Sequence, residues 1–136
     1  RRFDKEGKSV TTHGEYPDAI RWVAQKENVP LIELNGMTTM LCDALGVDGS
    51  MKLYVHYPAG TFPGQTREFK DNSHFSTYGA YETAKCVVEG MKKAKLDIAN
   101  YLRADYKGFN PAQPDKFETF KWNLCPFTEI EKPDGN

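Results

Sequence analysis

The chain has 136 residues, with 18 basic and 19 acidic side chains and a formal net charge of −1. That length fits one domain, and 39% hydrophobic with 12% aromatic residues is too apolar for a disordered chain. There is no basic excess and no apolar run near the roughly 20 residues that span a bilayer, so neither nucleic acid nor a membrane is expected as partner.

Residues 1–16 are polar and turn-rich, with Gly7 and Gly14 as breakers. Pro17 suits a first helical turn and Asp18 adds negative charge there. Ile20, Val23, Ala24 and Glu27 then predict an amphipathic helix of about three turns, ended by Asn28-Val29-Pro30. Leu31-Ile32-Glu33-Leu34 reads as a short strand of a covered parallel sheet. Asn35-Gly36 leads into a second helix on Met37, Met40, Leu41, Ala44 and Leu45, closed by Gly46.

Asp48-Gly49-Ser50 opens a segment ending near His56, with Ser50 expected as a helix N-cap before Met51-Lys52-Leu53. Pro58, Gly60, Pro63 and Gly64 mark a loop to about residue 70. Ser76 is a second N-cap candidate, and Ala80, Ala84, Val87, Met91, Ala94, Ile98 and Leu102 form one stripe of a long helix. From Asp105 the pattern dissolves into Gly108, Pro111, Pro114 and the aromatics Phe109, Phe117, Phe120 and Trp122, which argue that this tail packs on the domain or on a neighbour. Helix, strand, helix, loop, helix is the cadence of an α/β layered fold, with too few strands for a complete sheet.

Cys42, Cys86 and Cys125 show no CxxC spacing and are expected as buried free thiols. The start at Arg1 and the linker-like Lys132-Pro133-Asp134-Gly135-Asn136 suggest a piece of a larger protein.

The strongest chemical signal is Asp71-Asn72-Ser73-His74. A carboxylate three residues before an imidazole suits the orienting and base members of a hydrolytic triad. His13 and His56 have no motif beside them and are expected to be structural or exposed. A metal site of three histidines with Asp71 matches no standard zinc spacing, and no metal is expected. There is no G-x-S-x-G elbow and no Gly-rich phosphate loop, so no nucleotide cofactor is expected.

The block Asp71-Asn72-Ser73-His74-Phe75-Ser76, with Tyr78-Gly79-Ala80 and Ala84-Lys85 behind it, resembles the last block of the GDSL/SGNH hydrolases. Arg1-Arg2-Phe3-Asp4, Thr12-His13-Gly14-Glu15-Tyr16-Pro17 and Val29-Pro30-Leu31-Ile32-Glu33-Leu34 are similar to the rhamnogalacturonan acetylesterase branch. Leu45-Gly46 to Tyr54 and the loop at 58–60 fit it too. The resemblance covers about residues 1–100.

It implies an α/β fold, the C-terminal part of a three-layer α/β/α (flavodoxin-like) sandwich around a parallel sheet, incomplete in this chain. Residues 1–104 would be the C-terminal half of that domain and 105–136 an aromatic, Pro-rich extension and linker. The implied reaction removes acetyl groups from pectic rhamnogalacturonan without a cofactor, outside the cytoplasm or in the periplasm. His74 would be the base and Asp71 its orienting carboxylate.

The family's Gly-Asp-Ser nucleophile block and its Gly and Asn oxyanion donors have no counterpart in this sequence. The expectation is therefore a chain inactive alone, partnered by acetylated polysaccharide and the absent N-terminal half, and prone to homo-oligomerise. A serine within the piece would have to be Ser50, Ser73 or Ser76. A reading from another class is a non-catalytic glycan-binding or interaction module, with Phe117, Phe120 and Trp122 as stacking platform.

Overall fold

The computed structural model describes residues 2–123. The structure is mixed helix and sheet, consistent with an α/β class. Strands β1 (Arg2–Phe3) and β2 (Ser9–Val10) form a small antiparallel hairpin. Its turn is held by Asp4, whose Oδ1 accepts from the N–H groups of Glu6 and Lys8. The hairpin docks on the second helix, where Asp43 Oδ1 accepts from Ser9 N at 2.7 Å.

Helix α1 spans Tyr16–Lys26, as its apolar spacing predicts, with Pro17 in its first turn. Asn28 ends it at φ +53°, where the amide N–H of Val29 reaches Ala24 O and that of Asn28 reaches Gln25 O. Those two bonds satisfy the last carbonyls in a Schellman-type closure. No residue of α1 is buried. Tyr16, Ile20, Val23 and, beyond the helix, Val29 present apolar surface to solvent.

The expected strand at Leu31–Leu34 does not form. Residues 29–33 are irregular and Leu34 already opens helix α2 (Leu34–Met51). Its cap is Glu33, which accepts from Gly36 N and is gripped by Arg21 through Nε at 2.6 Å. A strand needs a neighbour for its N–H and C=O groups, and no described strand lies beside this run.

Gly46, expected to close the second helix, instead kinks it at φ +68°, and a further turn runs to Met51. Ser50 therefore lies at the C-terminal end of α2 and not at an N-cap. Its buried hydroxyl donates to Val47 O at 2.9 Å.

Strands β3 (Tyr54–Tyr57) and β4 (Phe69–Phe75) pair antiparallel across the 58–68 loop. Both described sheets are two-stranded and antiparallel, and no parallel pair occurs among the described residues.

Ser76 caps α3 (Thr77–Lys93) as expected, accepting from Gly79 N at 3.1 Å and donating to Lys52 O at 2.6 Å. The long stripe to Leu102 is interrupted after Lys93. Lys95 enters the left-handed region at φ +53°, and Leu96 N bonds back to Met91 O. Ile98 and Leu102 fall in and just after a 3-10 turn at Asp97–Tyr101.

The core is small. Leu41 and Cys42 of α2, Leu53, and Tyr78 and Cys86 of α3 are buried together, with Phe3, Leu45, Tyr54, Phe109 and Phe120 around them. Cys42 and Cys86 are both buried, and burial pushes the Cys86 thiol up to about 11. Cys125 and the stretch 132–136 lie outside the described residues.

The aromatic tail packs on this domain. Phe117 and Phe120 stand edge-on to Tyr78 at 5.2 and 5.4 Å, and the Tyr78 hydroxyl donates to Asp115 O. Lys85 joins Asp115 to the buried Glu82 and lies 4.1 Å from the Phe109 ring centroid.

Candidate functional site

Asp71 and His74 lie near the end of β4, inside an irregularity of its pairing. Tyr54 faces Phe75 and His56 faces Lys70, so residues 71–74 of β4 oppose Val55 alone. The excess is taken up as a bulge, a device often found beside active sites.

In a regular strand, residues three apart point to opposite faces. The bulge removes that separation: Asp71 Oδ2 meets His74 Nδ1 at 2.7 Å. The other carboxylate oxygen, Oδ1, accepts from the backbone N–H groups of Ser73 at 2.6 Å and His74 at 2.9 Å. Asp71 thus ties its own turn, the usual habit of an Asx residue. Across the strands, His56 Nε2 bonds Asn72 Oδ1 at 2.7 Å.

The backbone N–H groups of His74 and Ser73, with the ring of His74, hold the Asp71 carboxyl down at about 2. It is ionised throughout the neutral range and can hold an N–H on Nδ1, which leaves Nε2 as the basic nitrogen. His74 Nε2 has no hydrogen-bond partner among the described residues. The side chain of His74 is 80% exposed and that of Asp71 37%.

None of the serines weighed from the sequence engages that ring. Ser50 and Ser76 are buried and bonded to backbone, and Ser73 is exposed beside the pair. His56 is taken up by Asn72, and His13 lies near the N-terminus of α2. Among the described residues no group of three or more His, Cys, Asp or Glu could hold a metal ion. No described helix is long and apolar enough to cross a membrane.

The carboxylate–imidazole contact is the geometry that a hydrolytic Asp-His pair requires, and a known hydrolase shares much of this sequence. Rhamnogalacturonan acetylesterase RhgT of Bacillus subtilis (strain 168) is 39% identical over 102 residues, 75% of this chain and 44% of its own. Over that stretch the chain is related to the rhamnogalacturonan acetylesterases. The relationship is consistent with the GDSL/SGNH character of the Asp71–Ser76 block. The chain spans less than half the length of that relative. No family model and no solved structure matches.

A neighbouring cleft was not visible in the sequence. It is lined by Thr12, Asn35, Tyr54, Asn72, Phe75 and Thr83, among others, drawn from five separate segments. Tyr54 and Phe75 stack with centroids 5.5 Å apart, and Thr83 Oγ1 is buried without a hydrogen-bond partner. The only hint was the aromatic character of β3 and the start of α3, which reads equally as core.

Proposed function

We infer that this chain supplies the base and the orienting carboxylate of a serine esterase acting on acetyl esters of pectic rhamnogalacturonan. The observation that carries the reading is the 2.7 Å contact between Asp71 Oδ2 and His74 Nδ1, with Nε2 unengaged among the described residues.

Nε2 of His74 takes the proton of a serine hydroxyl as the serine oxygen attacks the acetyl carbonyl. The imidazolium so formed is stabilised by the Asp71 carboxylate, and its proton passes to the departing sugar oxygen. Water, deprotonated by the same nitrogen, then releases acetate from the acetyl-serine. No cofactor enters this sequence of steps.

The serine and the oxyanion donors belong, in this reading, to an N-terminal half that completes a three-layer sandwich around a parallel sheet. The unburied apolar stripe of α1 supports it. So does the exposure of His74, because water beside the pair weakens the charge stabilisation that catalysis uses. Residues 1–104 would then be the C-terminal half of the esterase domain, with the following segment an extension, and the enzyme would act on polysaccharide outside the cytoplasm or in the periplasm. The uncovered stripe also inclines the isolated chain to self-associate.

The test is hydrolysis of p-nitrophenyl acetate. The 136-residue chain alone is expected to give no turnover above background, whereas addition of an N-terminal half carrying Gly-Asp-Ser restores it in a His74-dependent way. Turnover by the chain alone that disappears in His74→Ala would place the nucleophile inside this piece and overturn the division proposed.

The module reading has less support. Phe117 and Phe120 are spent on Tyr78, leaving Trp122, 58% exposed, at the edge of that cluster.

A further inference from the structure

The bulge that carries Asp71 and His74 is tied in two ways. Asp71 makes the first set of bonds, to the N–H groups of Ser73 and His74 and to the His74 ring. All of these run between residues 71 and 74, so they shape the turn but leave its placement against β3 open. The second tie is the 2.7 Å bond from His56 Nε2 to Asn72 Oδ1, which leaves the bulge and crosses to the facing strand.

His56 stands where such a tie is needed. It faces Lys70 in the last regular register before the bulge. Asn72 comes two residues after Lys70, the diagonal neighbour that a side chain on the same face can reach. The amide oxygen only accepts, so the ring nitrogen facing it carries the proton. Held there, Asn72 stays on the His56 face of the hairpin, and the excess chain is taken up around it. Released, the segment can slide along Val55, and a slip of one residue sends its side chains to the opposite face.

We propose that His56 is a positioning residue: through Asn72 it fixes the bulge in which Asp71 meets His74, and so aims the His74 base. The inference rests on the esterase reading for its catalytic consequence, whereas the brace itself belongs to the hairpin. Asn72 is exposed and His56 half-buried, so the bond can be removed without opening the core. The Asp71 carboxyl, held down at about 2 by contacts made inside the bulge, reports whether the bulge is intact.

The test has a kinetic and a spectroscopic arm. In the chain complemented by its N-terminal half, His56→Phe keeps a ring and removes the N–H. It should lower kcat for p-nitrophenyl acetate about fivefold with KM unchanged, the effect of one net hydrogen bond on the population of the bulge. His56→Gln, whose amide N–H can replace that of Nε2, should restore most of the loss. Asn72→Ala should match His56→Phe, and the double variant should be no worse than either.

In the 136-residue chain alone, the 13C titration midpoint of Asp71 should rise in His56→Phe by the equivalent of about fivefold tighter proton binding, and return in His56→Gln. Melting temperatures should stay within roughly 5 °C of the parent's. An Asp71 midpoint unmoved by His56→Phe, equal changes in His56→Phe and His56→Gln, or a further fall of kcat in the double variant would overturn the brace. A shifted midpoint beside an unchanged, His74-dependent kcat would overturn the positioning role. The esterase reading fails separately, if the midpoint responds to His56 as expected while the complemented parent shows no His74-dependent hydrolysis.

Discussion

Replacing Gly79 by Ala should destabilise this chain far more than the same change at Gly90, although both glycines are buried on α3. A Cβ on Gly79 would fall within the shell of Leu53 O and only 2.6 Å from its carbonyl carbon. That obstacle is backbone, and it is pinned, because Leu53 O already accepts from Ser76 N at 3.0 Å. Relief requires the first turn of α3 to move off the β3 entry, and overpacking of this kind costs about 3 kcal/mol.

At Gly90 the new methyl would overlap Cγ2 of Ile32 and meet Met37 Cε at 3.1 Å. Those are side-chain atoms, and Ile32 sits on an irregular segment that can yield. The helical preference of Ala over Gly returns about 1 kcal/mol, leaving a net loss of about 1 kcal/mol or less. For a chain of this size, Gly79→Ala should lower the melting temperature by roughly 10 °C and Gly90→Ala by only a few degrees. Circular dichroism melts of both variants check the difference. Equal shifts, or a parent-like melt for Gly79→Ala, would refute the argument that Leu53 backbone sets the position of α3.

The Asp71 carboxyl, held at about 2, contributes stability that is complete above its unfolded value and lost as pH falls through its folded one. Its 13C NMR titration should therefore have a midpoint near 2 and, in His74→Ala, rise only part of the way, since the backbone N–H groups remain. A full return to the ordinary carboxylate range in that variant would show that the ring dominates. Lys85→Ala strands Glu82 without its ammonium in a fully buried position and should cost about 3 kcal/mol or more by denaturant titration. Tyr78→Phe removes the hydroxyl bonded to Asp115 O and should cost about 1 kcal/mol in the same assay. Truncation after residue 104 strips Phe109, Phe117 and Phe120 from α3, and the cooperative melt should be lost; an unchanged melt would mean the tail only rests on the surface.

Elements with a strong helical period were legible from residue types alone. α1, the body of α2 from Met37 to Leu45, the Ser76 cap and the start of α3 depend on local spacing and capping, which the sequence carries directly. The ends that went astray depended on backbone turns available to few residues. Asn28 is a familiar left-handed stop, but Lys95 gives no such signal, so α3 read as longer than it is. Leu31–Leu34 has the composition of a strand and lacks a described neighbour to pair with.

The sequence by itself determined that a carboxylate and an imidazole lie three residues apart in a context shared with rhamnogalacturonan acetylesterases. It could not say that the two groups touch, since an extended β4 would hold them on opposite faces. Only the tertiary structure decided that. Pairing with β3 leaves residues 71–74 facing a single residue, and the excess chain folds into the bulge that brings Asp71 onto His74. The cleft beside it is likewise a product of packing, because its lining comes from segments far apart in the chain and no local pattern announces it.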